Sequence, residues 1–291
     1  MKGYFEAARA ATRSPSWDIA KSPMRTLRNT KLFILPDALK PKAEALYRDL
    51  YAPARARLAL TPEAFASEEK TSNGTLLRGD LIWFLAIDAE DAALRKTLSQ
   101  LGQAYIGYGN DGRLHPEILH PDLVRTALIV ATQDLGTPFF DVLVAQMNTS
   151  TDAAFRSNLI AVLAFQSDPV LARKVRSLFL TASLTKREAS RLLFRHARRV
   201  ANRDAIWDWM TAHFTEILDR IPRSSRKSLP WLGGNFCSLE KRDMVQHFFE
   251  QRVASFEGGP RILANVLESI EICAAVVAHH RADVVGYFEK R

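Results

Sequence analysis

Apolar residues recur every three or four positions along most of this chain, which is the spacing of an amphipathic α-helix. The clearest example is residues 202–275, where three apolar stripes follow one another, each separated from the next by a polar or glycine-containing link. The stripes consist of Ile206, Trp209, Met210, Phe214, Ile217 and Leu218, then Val245, Phe248, Phe249 and Val253, then Ile262, Leu263, Val266, Leu267, Ile270 and Cys273. Because an apolar stripe needs a neighbour to cover it, the pattern predicts three helices that pack against other helices.

Start signals mark the helices that precede this stretch. Thr137-Pro138, Thr151 and Asp168-Pro169 each stand before an apolar run, and Thr185 with Glu188 has the spacing of a capping box. Threonine and aspartate side chains accept hydrogen bonds from the free N–H groups of a first helical turn. Proline has no N–H group, so it leaves none unsatisfied there. The short links between the runs predict that successive helices are antiparallel.

No stretch alternates apolar and polar residues for long enough to indicate a strand, so the sequence predicts an all-α fold. Helix pairs without a clean repeat indicate an α/α superhelix, a HEAT-like or armadillo-like solenoid with a concave face. A compact bundle is the alternative. We expect a single helical-repeat domain over 1–291, with less regular basic helices in 1–60, a loop at 61–74 and a helix-pair array in 75–291.

The formal net charge of +8 comes from basic residues near the start of the chain and between Arg173 and Lys227. Neither block alternates basic residues with aromatic ones, and no nucleic-acid-binding motif accompanies them. We therefore expect no nucleic-acid partner and interpret the charge as a solvated face or a surface for acidic partners. No uninterrupted apolar run approaches the roughly 18 residues of a membrane span, so we expect no membrane partner.

Two cysteines are present, Cys237 and Cys273, and they form neither a C-x-x-C motif nor part of a His/Cys cluster. The expectation is two reduced thiols rather than a disulfide. The first residues lack the apolar centre of a secretory signal. A cytoplasmic location follows as the expectation.

The motifs of catalysis and metal binding are absent from the sequence. None of the seven histidines has another four residues later, so H-E-x-x-H is missing, and G-x-S-x-G and Walker-type loops are missing too. The neighbours His279 and His280 point in different directions on a helix, and we expect all the histidines to be solvent-side or terminal. Carboxylates at helix starts are interpreted as caps or first-turn residues: Asp18, Asp88, Asp91, Glu188 and Asp208. We therefore expect no catalytic residue, metal ligand or cofactor in this chain.

One basic pattern does suggest recognition. Arg187, Arg191, Arg195 and Arg198 step by four, four and three residues along one predicted helix, opposite the apolar Leu192, Leu193 and Ala197. If this stripe faces a concave surface, it attracts peptide carboxylates or acidic side chains. If it faces outward, it is a solvated helix face. Both interpretations stay open, and the four arginines are the candidate peptide-facing residues.

The region after residue 200 resembles the end of the C-terminal helical domain of zinc aminopeptidases, such as aminopeptidase N, the puromycin-sensitive aminopeptidase and the endoplasmic-reticulum aminopeptidases. The matching pieces are an A-W-D-W helix, a loop ending in F-C-S, an F-F helix and a G-x-R-x-L-x-x-x-L-E-x-I helix. The residues are Ala205, Trp207, Asp208, Trp209, Phe236, Cys237, Ser238, Phe248, Phe249, Gly259, Arg261, Leu263, Leu267, Glu268 and Ile270. The pieces share their order and spacing with that family.

The resemblance implies a non-catalytic domain that covers the active site of a parent enzyme and shapes the cavity through which peptides enter. It also implies that zinc, the catalytic domain and the β domains belong to the rest of that enzyme, and that peptides are the ligands. Apolar surface normally covered by those domains makes the isolated chain a candidate for dimerisation. Two alternatives are a free-standing HEAT-like scaffold that binds a protein partner and a self-contained enzyme of unknown chemistry.

Overall fold

The computed structural model of this protein describes residues 2–290 except 15, 57, 59 and 61–73, and the described residues form helices, turns and no β-strand. The prediction of an all-α fold is therefore confirmed. The Cα positions divide into two compact units, Met1–Asp134 with His279–Arg291 (unit 1) and Leu135–Ala278 (unit 2). The solenoid and the single repeat domain stay predictions.

The described residues of unit 1 form seven α-helices. Unit 1 also contains the last turns of a long helix that starts in unit 2. The seven are α1 (Lys2–Thr12), α2 (Trp17–Lys21), α3 (Met24–Asn29), α4 (Lys40–Arg55), α5 (Gly74–Trp83), α6 (Ala92–Tyr105) and α7 (Pro121–Leu135). Pro23 stands between α2 and α3 and interrupts the helical course there. The predicted loop at 61–74 lies outside the described residues except for Gly74, with which α5 begins.

Two cations, Arg28 at the end of α3 and Lys31 in the π-helical segment Thr30–Ile34, contact Asp88 at the end of a second π-helical segment, Phe84–Asp88. The buried Lys31 places its Nζ 2.5 Å from Glu44 Oε1 and 2.8 Å from the carbonyl oxygen of Asp88. Arg28 donates from Nε and Nη2 to Asp88 Oδ2, at 2.8 and 2.6 Å. A buried lysine is tolerated here because carboxylate and carbonyl oxygens surround it.

Unit 2 is built from α-helices joined by short turns and 3₁₀ segments. They are α8 (Thr137–Thr149), α9 (Ala153–Ala164), α10 (Pro169–Leu180), α11 (Lys186–Ala197), α12 (Arg203–Ala212), α13 (Phe214–Arg220), α14 (Arg223–Arg226), α15 (Leu239–Phe249) and α16 (Gly259–Glu289). Fully buried large side chains include Phe139, Phe140, Phe179 and Phe249. Their burial supplies the apolar contacts that the three-or-four spacing predicted.

Most predicted helix starts are confirmed. Asp168 accepts hydrogen bonds from the first backbone N–H groups of α10, and Thr185 with Glu188 forms the predicted capping box of α11. At α9 the cap is Asp152, one residue after the predicted Thr151. Because caps act within three residues, the sequence alone specifies them.

The cap interpretation of the five carboxylates is correct for three of them. Asp18 lies in the first turn of α2, Asp91 accepts from the N–H of Leu94 at the start of α6, and Glu188 belongs to the capping box. It is wrong for Asp88, which pairs with Arg28, and for Asp208, which is exposed in the interior of α12. Asp88 pairs with a cation that is 60 residues away in the sequence. Local sequence patterns cannot reveal such a partner.

Two of the three helices predicted in residues 202–275 also need correction, the first and the third. The stretch from Asn202 to Leu218 is not one helix, because His213 separates α12 from α13. The last helix does not end near Ala275 but continues to Glu289. Within unit 1, its end packs on α1, where the Phe5 ring stacks on Tyr287 at 4.7 Å between centroids.

The extended last helix changes the membrane expectation. By length and composition alone α16 could cross a membrane, since an 18-residue window has a mean hydropathy of 1.6 and 17% of that window is buried. The sequence-based argument counted uninterrupted apolar residues, and Glu268 and Glu271 interrupt the run. A core helix of a soluble protein meets the same criterion of length and composition, but such a helix is mostly buried.

Candidate functional site

Helix α11 carries the predicted arginine stripe, and its start is held firmly in unit 2. Glu188 accepts hydrogen bonds from the Thr185 backbone N–H at 2.9 Å and from Arg156 Nε at 2.8 Å. Arg156 also donates to the carbonyl oxygens of Met147 and Ser183. The hydrogen bonds from Arg156 hold the pKa of Glu188 down at about 2, so this carboxylate is ionised at neutral pH.

The helical spacing correctly predicts which face of α11 is buried and which is exposed. Leu192, Leu193 and Ala197 are buried. The four arginines of the stripe, Arg187, Arg191, Arg195 and Arg198, are exposed. Among the described residues, no carboxylate pairs with Arg187, Arg191 or Arg198. Three guanidinium groups thus remain available to anions on one side of this helix.

Arg198 differs from the other three arginines because it lines a pocket of about 690 Å³ in unit 2, which we call the α11 pocket. Its lining residues come from α11, from α14 and from the segment that follows α14: Ser190, Phe194, Arg198, Ser224, Ser225, Ser228, Trp231, Gly234 and Asn235. The lining therefore contains four hydroxyl groups, one amide and a single cation. Phe194 and Trp231 add apolar surface, and Trp231 is 41% exposed.

Close packing sets the shape of the wall opposite α11. A Cβ atom on Gly234 would lie 2.7 Å from Cε3 of Trp231, so only glycine lets the indole ring rest at this position. The next residue, Asn235, donates from Nδ2 to the carbonyl oxygen of Ala197 at 2.6 Å. This hydrogen bond ties the loop to the last turn of α11, beside Arg198.

A disulfide bond between Cys237 and Cys273 anchors the same loop to α16, with a Cα–Cα distance of 5.1 Å. The expectation of two reduced thiols is therefore wrong. The two cysteines are 36 residues apart in the chain, and packing of the loop against α16 brings them together. Because both sulfurs are bonded, neither cysteine is a candidate nucleophile in this state.

Sequence reasoning also missed a buried polar side chain in the last turn of α11. His196 is 1% exposed, its Nδ1 donates to the carbonyl oxygen of Ala164 at 3.1 Å, and Asn202 Nδ2 lies 3.1 Å from the same ring nitrogen. Burial, and then the nearby Arg176 and Arg199, lower the pKa of His196 to about 4. The expectation of solvent-side or terminal histidines is wrong for this residue, which is neutral at pH 7.

The arrangement around Arg198 is suited to binding an anion. A guanidinium group with nearby hydroxyl and amide donors matches the acceptors of a carboxylate. The described part of the chain contains no group of three or more His, Cys, Asp or Glu side chains that could hold a metal ion. The other three arginines of the stripe do not line the α11 pocket.

Comparisons with known proteins identify the family. A search of curated proteins finds no match to this sequence. The family model described as "ERAP1-like C-terminal domain" matches residues 2–272 of the 291. This match includes every residue on which the resemblance to the aminopeptidases was based, and it extends to the N-terminal helices. The chain therefore belongs to the family of ERAP1-like C-terminal domains.

Proposed function

We propose that this chain is the non-catalytic C-terminal helical domain of a zinc-dependent aminopeptidase, where it covers the active site and shapes the cavity that admits peptides. Membership of the family supports this proposal, because the match covers nearly the whole chain. In this proposal, zinc and the catalytic residues belong to the catalytic domain of the parent enzyme. The domain contributes recognition of the peptide.

The observation that carries the recognition role is the position of Arg198. Its guanidinium is exposed, lacks an ion-pair partner among the described residues and lies in a pocket with Ser224, Ser225, Ser228 and Asn235. A peptide carboxylate can accept hydrogen bonds from the guanidinium and from the neutral donors at the same time. Arg187, Arg191 and Arg195 add positive potential along α11, which favours the approach of acidic peptides.

The partners in this proposal are the catalytic and β domains of the parent enzyme and its peptide substrates. Exposed apolar residues such as Leu239, Ile272 and Val276 are candidates for surface that another domain covers, and they underlie the prediction that the isolated chain dimerises. The cytoplasmic location, which was inferred from the lack of a secretory signal pattern, stays a prediction, and the disulfide does not support it. Disulfides are typical of oxidising compartments, so the location is a further question for the parent enzyme.

Peptide binding by the purified chain tests the recognition role. Fluorescence anisotropy would compare a labelled peptide that has a free C-terminal carboxylate with the same peptide as an amide. We expect the acid to bind more tightly and the Arg198→Gln variant to lose about tenfold in affinity, the equivalent of one charge-assisted hydrogen bond. Arg187→Gln is the matched control, because Arg187 lies on the same helix outside the pocket and is expected to change affinity little.

The domain role has its own test. The catalytic part of the parent enzyme, produced without this domain, would be assayed for hydrolysis of short and long peptides before and after addition of the chain. We expect the addition to change the preference for peptide length. Complete indifference, together with equal binding of acid and amide, would contradict the proposal and favour the alternative of a HEAT-like scaffold for a protein partner.

A further inference from the structure

A second pocket lies on the other side of α14 in unit 2. It has a volume of about 600 Å³ and is lined by basic residues from α14 and by residues that precede α16, among them Arg223, Arg226, Lys227, Ser255 and Glu257. We call it the outer pocket. Three cations and one carboxylate line it, so its net charge is positive.

Helix α14 is the wall between the two pockets. Ser224 lines both of them, Ser225 lines only the α11 pocket, and Arg226 lines only the outer pocket. Side chains on a single helical turn point in different directions, which explains how four residues supply hydroxyls to one side and cations to the other. A ligand in the α11 pocket can therefore reach the outer pocket by crossing one turn of helix.

The cations of the outer pocket are available to a ligand. Arg226 donates from Nε and Nη2 to the carbonyl oxygen of Leu218, at 3.1 and 2.7 Å, which fixes its guanidinium in place. Arg223 and Lys227 are exposed, and neither has a hydrogen-bond or ion-pair partner among the residues that the structure describes. Glu257 also lines the pocket, but one carboxylate cannot neutralise three cations.

We propose that the outer pocket selects peptides with an acidic side chain near the C-terminus. This inference rests on the proposed function, because it requires the C-terminal carboxylate to bind Arg198. An α-helix with its side chains is about 10 Å across, and an extended peptide rises about 3.3 Å per residue. The acidic side chain is therefore expected about three residues before the C-terminal residue, where it meets Arg223 and Lys227.

The test is a positional scan with labelled twelve-residue peptides made of Ala, Gly and Ser with a C-terminal Leu. One Asp is moved from the first to the sixth position before the C-terminal residue, and each peptide has an Asn counterpart. Anisotropy is measured with the full chain. We expect Asp to improve affinity about fivefold at about the third position, with no gain at the sixth, and the gain to shrink as salt is raised.

Variants assign the gain to the pocket. In the double variant Arg223→Gln/Lys227→Gln, the Asp and Asn peptides should bind equally, while the difference between acid and amide remains. The matched control is Arg173→Gln/Lys186→Gln, which removes the same charge from exposed residues of α10 and α11 outside both pockets. The control should keep the gain.

The outcomes separate the two proposals. If free acids bind better than amides but Asp and Asn peptides bind equally at every position, the outer-pocket inference is overturned and the proposed function survives. If the Asp gain persists in the double variant, or disappears equally in the control, the inference is also overturned. If no peptide discriminates acid from amide, the recognition role itself fails.

Discussion

The ion pair between Arg156 and Glu188 is expected to be one of the strongest single determinants of stability in unit 2. The side chains are 18% and 16% exposed, and two hydrogen bonds join them, at 2.8 and 3.1 Å. Replacing Arg156 with Met keeps the apolar stem but removes the guanidinium. The change also leaves the carbonyl oxygens of Met147 and Ser183 without this donor.

The magnitude follows from the pKa of Glu188, which is lowered from 4.5 to about 2. A lowering of about 2.5 pKa units corresponds to about 3.4 kcal/mol of extra stability of the ionised form. Hydrogen bonds from Thr185 supply part of this, and residual solvent screens the pair. We therefore expect Arg156→Met to cost about 2 kcal/mol of unfolding free energy at pH 7.

The pH dependence has a defined sign. A carboxylate with a lowered native pKa stabilises the fold fully above its unfolded pKa, and it loses this contribution as the pH falls towards the native value. By the same linkage, the ionised Glu188 contributes less than half as much to the unfolding free energy at pH 3 as at pH 7. The difference in stability between the wild type and Arg156→Met should shrink accordingly between pH 7 and pH 3.

Urea unfolding followed by circular dichroism measures both effects in a double-mutant cycle of Arg156→Met and Glu188→Gln. Arg187→Met is the control, because this exposed arginine on α11 has no ion-pair partner among the described residues, and it should change stability by less than about 0.5 kcal/mol. A coupling energy below about 0.5 kcal/mol at pH 7, or one that is unchanged at pH 3, would refute the reasoning.

Three further predictions concern the surroundings of the α11 pocket. Reducing the Cys237–Cys273 disulfide should lower the unfolding free energy by about 4 kcal/mol, the chain-entropy value for a 36-residue separation, and the Cys237→Ser/Cys273→Ser variant should match the reduced protein in urea titrations. His196 should titrate near pH 4 in an NMR titration, and its proton uptake should destabilise the fold as the pH falls below about 6.5 towards 4; titration of every histidine near 6.5 would contradict its burial. Gly234→Ala should displace the Trp231 ring and shift its fluorescence emission, whereas Gly286→Ala, at an open position in α16, should leave the emission unchanged.

Local features of the fold were predictable from the sequence, because the physics that produces them acts over a few residues. The capping box of Thr185 and Glu188 and the helix start at Asp168 each depend on one turn of chain. The buried and exposed faces of α11 follow from helical spacing alone. The break at His213 was missed because the apolar stripe continues across it into α13.

Features that depend on distant residues were not predictable. The pairing of Cys237 with Cys273 requires the loop to pack on α16, and the burial of His196 requires contact with Ala164. In the candidate site, the stripe pattern found Arg198, but nothing in that pattern separates it from Arg187. The pocket arises only when α14 and the loop after it are placed beside α11.

The division of the chain into units has a practical consequence for dissecting the protein. Unit 2 is one continuous segment, Leu135–Ala278, so a fragment of it needs no added linker. Unit 1 is discontinuous, and deleting the residues after Ala278 would strip Tyr287 and Phe288 from Phe5. A stand-alone version of unit 1 therefore needs a designed linker from Asp134 to His279, or a circular permutation that brings the C-terminal turns next to α1.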